Sequence, residues 1–357
     1  MSLPLGTQDH IDETGPRPLN TRKSRKGRNV LVAVAAVVLV SALVAGGYIY
    51  NLAQTFDSNT QKIEPAFPDE TTRPQKVLPA AGAKAAVNIL VIGSDSREAT
   101  EVGAVSGAAT DQRADTLMLM HIPADRKNIH TISLMRDLWV QIPGHGESKI
   151  NSALAQGGVP LMVQTVESIF GQRIDHVAMV DFESFKGLTD ALGGVEVNVG
   201  MPFTSKHGKF TFTRGVNTMN GEQALGFVRE RNAFADGDYQ RVRNQQSFMK
   251  AILAKTIDAR TLSNPGTIAN VVTTVSPYIS VDKGLNAATV GGLGVELNGV
   301  RQQDIAMFTL PTQGTGTSVD GQSIVLPDPS AIAKISTALA EDRLGDYVAA
   351  NNFEKGN

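Results

Sequence analysis

Residues 87–93 read Val-Asn-Ile-Leu-Val-Ile-Gly, a short apolar run rich in β-branched residues and closed by glycine. Such a run marks a strand buried on both faces. Two more follow, DTLMLMHI at 115–122 and NIHTISLM at 128–135, separated by a Pro/Asp turn that predicts an antiparallel hairpin. Further on, the spacing of Leu161, Val163, Val166, Ile169 and Phe170 predicts a helix over 160–170. A strand is expected over 176–182, then a helix over 183–192 stopped by Gly193-Gly194. Helices should open at Asn220-Gly221-Glu222 and at Asp238, the second reaching about residue 258, and Ile305–Leu310 reads as a late strand ended by Pro311. Strands interspersed with helices imply an α/β chain, a three-layer α/β/α sandwich with a central mixed β-sheet. There is no internal repeat and no Gly-rich phosphate loop of the Walker or dinucleotide type.

Charged residues crowd the ends of these strands. Gly93-Ser94-Asp95-Ser96-Arg97 follows the first, Arg113-Ala114-Asp115-Thr116 introduces the second, and Arg136-Asp137 closes the third. Later come FVRER at 227–231 and DYQRVRNQQ at 238–246. Loops at strand ends are where ligands bind in an open sheet. In an extended segment Arg229 and Arg231 would share a face; on a helix Arg241 and Gln245 would too, with Asp238 placed as the N-cap. These positions hold arginine rather than lysine, and a guanidinium fork grips phosphate oxygens bidentately. Asp95 and Asp115 beside so many arginines suggest Mg²⁺ (or Mn²⁺) bridging phosphate oxygens. Plainer readings stand beside this one. Any of these arginines can be half of a structural ion pair, Asp137 can serve only to orient Arg136 or cap a turn, and Asp238 can be a simple cap.

The chain has 357 residues, 41% of them hydrophobic, and a formal net charge of −2, which excludes a wholly disordered chain and a basic nucleic-acid coat. No nucleic-acid partner is expected. The absence of cysteine excludes disulfide scaffolds, thiolate zinc sites and thiol nucleophiles. The six histidines are scattered, so a hard, oxygen-ligated cation is the better metal candidate. Near the N-terminus a basic run, TRKSRKGR at 21–28, precedes the uncharged stretch Val30–Tyr50. As a helix that stretch would span about 31 Å, close to the thickness of a bilayer core, with Tyr48 and Tyr50 at the interface. A cleaved signal peptide would have a shorter apolar core and a small-residue cleavage site. The expected organisation is therefore a disordered, basic cytoplasmic tail (1–29), one transmembrane helix (30–50), an extracellular stalk carrying Pro65, Pro68, Pro74 and Pro79 (51–84), a catalytic domain (85–340) and a C-terminal tail (341–357). The protein would be single-pass in the cell membrane, with its N-terminus cytoplasmic and its domain outside.

Taken together and in order, GSDSR (93–97), RADTLML (113–119), SLMRD (133–137), KINSALAQGG (149–158), DALGGVEVNV (190–199), NGEQALGFVRER (220–231) and DYQRVRNQQ (238–246) resemble the LytR-CpsA-Psr family of envelope proteins. The resemblance covers roughly residues 85–260. It implies an α/β/α domain that binds a polyprenyl-pyrophosphate-linked glycan, with the lipid in an apolar groove between sheet and helices. It further implies transfer of the glycan with its phosphate to a peptidoglycan hydroxyl, so the membrane, the lipid-linked donor and the peptidoglycan acceptor are the expected partners. Carried over by position, Asp95 and Asp115 lie next to the divalent cation, and Arg113, Arg136, Arg229, Arg231, Arg241 and Gln245 contact the pyrophosphate. Arg136, Asp95 and Arg113 form the catalytic group, while Arg97 occupies a variable-looking place. Two other functions stay open: a polyprenyl-pyrophosphate hydrolase, and a non-enzymatic membrane-bound regulator or lipid-glycan binding protein.

Overall fold

The computed structural model describes residues 25–76, 82–94, 114–256 and 264–353, with side chains from residue 38 onward. The chain divides into two compact units, Met1–Tyr50 and Asn51–Asn357. The apolar N-terminal run is helical, within a helix α1 spanning Arg25–Asn59. Its large apolar side chains stay exposed, Val38, Leu39, Leu43 and Val44 among them. A helix apolar on all sides needs an apolar surround, and among the described residues Val38–Asn59 is the one stretch long and apolar enough to cross a membrane.

The second unit is organised by a seven-stranded sheet. Its strands are β1 (Gln61–Lys62), β2 (Val87–Ser94), β3 (Ala114–Ile122), β4 (Ile129–Leu134), β5 (His176–Val180), β6 (Ser280–Val281) and β7 (Ile305–Thr309). They lie in the order β1-β6-β5-β2-β3-β4-β7. The pairs β2/β3, β3/β4 and β5/β6 are antiparallel, whereas β1/β6, β2/β5 and β4/β7 are parallel, so the sheet is mixed.

Helices cover both faces. They are α2 (Ser152–Phe170), α3 (Phe182–Ala191), α4 (Gly221–Arg229), α5 (Asp238–Thr256), α6 (Pro265–Val275), α7 (Ala287–Glu296), α8 (Pro329–Ala340) and α9 (Leu344–Ala350). Successive strand residues point to opposite sides. Leu90, Ile92, Leu117, Leu119, Ile132 and Leu134 pack on one face with Met162 and Val166 of α2, Ile335 of α8 and Leu344 of α9. Ile89, Met120, Ile122, Ile129 and Ile305 pack on the other, against Met249 and Leu253 of α5 and Leu293 of α7. Burial on both sides is why these strands read as unbroken apolar runs. A smaller aromatic cluster, with Phe212, Phe227 and Phe248 buried, joins α4 and α5 to the hairpin of 195–199 and 215–219.

The structure departs from the expected boundaries at both ends of the domain. Residues 51–76 are not a free stalk. Phe56 and Ile63 are buried, and β1 extends the sheet edge by pairing with β6. The Arg73 guanidinium, 3% exposed, donates to Glu167, 1% exposed, at 2.6 Å. Prolines suggested a linker, but the partners that order this segment lie far away in sequence. Residues 341–353 are likewise folded, with Leu344 and Val348 in the core and Phe353 stacked on Phe308. The helix expected from 160 starts at Ser152 and breaks at Gly157-Gly158, so Pro160 falls in the turn after the break, where a missing N–H is tolerated.

Candidate functional site

The strand order itself gathers the charged loops. Because β2, β3 and β4 alternate in direction, the end of β2, the start of β3 and the end of β4 share one rim of the sheet. The end of β7, parallel to β4, joins them. Gly93 permits the first of these approaches, since a Cβ there would sit 2.8 Å from Thr116 Cβ. Asp115 emerges at the start of β3, and Arg136 and Asp137 follow β4. The first turn of α5 brings Asp238 and Arg241 to the same rim, where Tyr239 Oη lies 2.8 Å from Thr312 Oγ1.

Arg136 is the hub. Its Nη1 donates to Asp115 Oδ1 at 2.9 Å, and its Nε lies 3.6 Å from Asp137 Oδ2 and 3.9 Å from Asp238 Oδ2. Asp238 Oδ1 is 3.4 Å from Arg241 Nη1 and 3.8 Å from Arg231 Nη1. Lys149, at the end of the hairpin Trp139–Ile142/Gly146–Lys149, reaches Asp137 at 3.3 Å. Among the described residues four basic and three acidic groups thus meet at one rim, most of them partly buried. The Nε–H groups of Arg136 and Arg241 are both buried without a hydrogen-bond acceptor among the described residues. Burial opposes the charge of Arg136, but the Asp115 hydrogen bond and the charges of Asp238 and Asp137 outweigh it and raise its pKa. At Arg241, 5% exposed, burial wins: despite Asp238, and with repulsion from Arg136, the pKa falls below the ordinary guanidinium value. An added anion would relieve both arginines.

Arg136, Arg231, Arg241 and Asp115 therefore come together as the sequence pattern requires. Asp95, Arg97 and Arg113 lie outside the described residues. Arg229 goes elsewhere. It ends α4 instead of entering an extended segment, so it shares no face with Arg231, and its guanidinium stacks 4.3 Å from the Phe182 ring centroid. Gln245 is buried and donates to the Val228 carbonyl at 3.3 Å, bracing the end of α4. Asp238 does not precede the helix as a cap; the helix begins with it, and its carboxylate sits among three arginines. Lys149 was missed as a site residue although it opens the KINSALAQGG stretch, because only the hairpin brings it to Asp137.

Among the described residues no group of three or more His, Asp or Glu side chains is placed to hold a metal ion, the three rim aspartates being set around Arg136 instead. Asp115 offers hard carboxylate oxygens suited to Mg²⁺ or Mn²⁺, with Arg136 already on Oδ1. A cavity of about 370 Å³ lies along another face of α5. Phe227, Met201 and Met307 line part of it, but polar side chains line most of the rest, so it is not the apolar groove that the resemblance implies.

Comparison with known proteins agrees with this architecture. The Polyisoprenyl-teichoic acid–peptidoglycan teichoic acid transferase TagU of Bacillus subtilis (strain 168) is 26% identical over 324 residues, covering 90% of this chain and 99% of that one. The Probable cell wall biosynthesis protein LcpB of Corynebacterium glutamicum is 32% identical over 247 residues, which is 68% of this chain and 56% of that protein. The crystal structure of TagV from B. subtilis shares the fold, with a TM-score of 0.63 at 24% identity over 73% of this chain and 98% of that one. The model of the LytR_cpsA_psr family matches residues 47–341, a range that takes in β1 and Arg73 as well as the charged rim. With the mixed sheet and the arginine-rich rim both in place, this chain belongs to the LytR-CpsA-Psr family.

Proposed function

We propose that this protein is a membrane-anchored phosphotransferase that moves a polyprenyl-pyrophosphate-linked glycopolymer, with its phosphate, onto a peptidoglycan hydroxyl. One observation carries the proposal: Arg136, Arg231 and Arg241 converge at a strand-end rim, and two of their buried Nε–H donors lack acceptors among the described residues. A buried donor left unsatisfied costs about 1–3 kcal/mol, and a pyrophosphate oxygen is the acceptor whose charge also matches. The names of the relatives, a teichoic acid transferase and a cell wall biosynthesis protein, point the same way.

In this scheme the acceptor hydroxyl oxygen attacks the glycan-side phosphorus. The bond to the bridging oxygen breaks, its electron pair leaves with polyprenyl phosphate, and the hydroxyl proton passes to a carboxylate base, for which the sequence offers Asp95 as the candidate. Guanidinium groups aimed at the charge that develops on the leaving phosphate lower the barrier by electrostatic stabilisation. We assign Asp115, with Asp95, to a divalent cation, Mg²⁺ or Mn²⁺, which when bound supplies further charge neutralisation of the diphosphate. A cytoplasmic N-terminus and a domain outside, where the lipid donor is confined to the same membrane surface, fit this scheme and are supported by the basic run before the apolar helix.

The test is reconstitution of the full chain in detergent micelles with a donor labelled in its glycan phosphate and with peptidoglycan. Label bound to peptidoglycan through a phosphodiester, with release of polyprenyl phosphate, is the expected result. Labelled free glycan phosphate as the sole product would establish the hydrolase instead, and donor binding without turnover the non-enzymatic role.

A further inference from the structure

On α5, Gln240, Arg243, Ser247 and Lys250 recur at three- and four-residue intervals, so they share one face and line the 370 Å³ cavity. At 100° per residue this face is turned well away from Arg241 and Gln245, and Lys250 lies about 13 Å along the helix from Arg241. The cavity volume falls within the roughly 300–1,000 Å³ of small-molecule sites.

Its charges are not balanced. Arg243 is paired with Asp236 and with the Gln240 amide. Lys250 is different: among the described residues its ammonium has no acidic partner, and burial alone pushes its pKa below the ordinary lysine value. Ser247 and Asn198, on the same lining, also have side chains without a hydrogen bond among the described residues. An uncompensated, half-buried cation is costly unless something pairs with it. A hydrocarbon tail would make that cost worse. A bare phosphate would leave the neutral donors and the apolar floor of Phe227, Met201 and Met307 unused.

We propose that this cavity is a second binding site, separate from the arginine rim, for a saccharide carrying an acidic group: Lys250 takes the acid, Ser247 and Asn198 take ring hydroxyls or an amide, and the apolar floor takes the ring. The acid can be a sugar phosphate from the donor side or a sugar carboxylate from the acceptor side.

The experiment is saturation-transfer NMR on the full chain in micelles with N-acetylglucosamine 1-phosphate, N-acetylmuramic acid and neutral N-acetylglucosamine. At least one acidic sugar is expected to bind ten or more times more tightly than the neutral one, and which of the two does so identifies the source. With the rim silenced by Arg136→Ala, the preference should persist; added to that background, Lys250→Gln should bring the acidic sugar down to the neutral level and Lys250→Arg should keep the preference. Equal binding of all three sugars would overturn the proposal. So would a preference that survives Lys250→Gln in the Arg136→Ala background, or one that Arg136→Ala alone abolishes. If Lys250→Gln proves misfolded by its thermal melt, Asn198→Ala and Ser247→Ala take its place, each expected to weaken the preferred sugar at least threefold; unchanged binding in both overturns the site. Because binding is read without turnover, failure here leaves the transfer reaction untouched, and failure of transfer leaves this site untouched.

Discussion

Replacing Arg241 with methionine separates a ligand-directed guanidinium from a structural one. The side chain is 6% exposed, and its one ion pair among the described residues is the 3.4 Å contact with Asp238. Deleting one partner of a buried pair costs about 3–5 kcal/mol when the other charge is left stranded. Asp238 is not stranded here, since Arg231 and Arg136 remain at 3.8 and 3.9 Å. Removal also relieves the burial and the Arg136 repulsion that depress the Arg241 pKa, and methionine keeps much of the packing volume. The stability of the ligand-free protein should therefore change by no more than about 1 kcal/mol in either direction. Transfer should suffer far more. A lost charge-assisted hydrogen bond to phosphate is worth about 1.5–3 kcal/mol, or about 10- to 150-fold in kcat/KM. Denaturant unfolding of the full chain in micelles gives the first quantity and initial rates of transfer the second. A destabilisation beyond about 3 kcal/mol with kcat/KM within threefold of the parent would show that Arg241 is a structural residue.

Other perturbations probe the remaining parts. Asp115→Ala should abolish the response of turnover to Mg²⁺ or Mn²⁺ and match the effect of EDTA on the parent; a variant still stimulated by the metals would remove Asp115 from the cation site. Arg73→Met leaves Glu167, 1% exposed, with its Ile174 N–H donor but no counter-charge, and should cost about 3–5 kcal/mol of unfolding free energy; a loss below about 1 kcal/mol would return residues 51–76 to the role of a tether. His130 is held neutral in the fold, its pKa lowered to about 4 from 6.5 by burial and by neighbouring His121. The unfolded chain thus takes up this proton first as the pH falls, so stability rises with pH from about 4 to 6.5 and is lost on the way down, by up to about 3 kcal/mol. His130→Gln should flatten that slope, and an unchanged slope between parent and variant would exclude His130 as its origin.

What the sequence could and could not disclose follows from the range of the forces involved. The strands β2, β3 and β4 were legible because burial on both faces writes an unbroken apolar run, a local signal. Strands β1 and β6 were not, being two residues each and ordered by distant pairing, Gln61 with Ser280 across 219 positions of chain and Ser280 in turn with Met179 of β5. The same limit governs the site. Arginine at strand ends signalled an anion, yet Arg229 and Arg231, two residues apart in one motif, part company because α4 ends at the first of them and Phe182 captures its guanidinium. Asp238 reads identically as a helix cap or as the counter-charge of three arginines until the directions of β2, β3, β4 and α5 are known. Those directions explain why residues from five separated segments meet. Alternation of three strands puts one start and two ends on a single rim, and a helix laid across the sheet delivers its first turn there. The arginines were written locally, but the site is a property of strand order. It follows that a change in the rim's own side chains should alter chemistry with little effect on folding, whereas a change at Gly93, where the two strand ends close to within contact of Thr116, should spread the rim and weaken every contact at once.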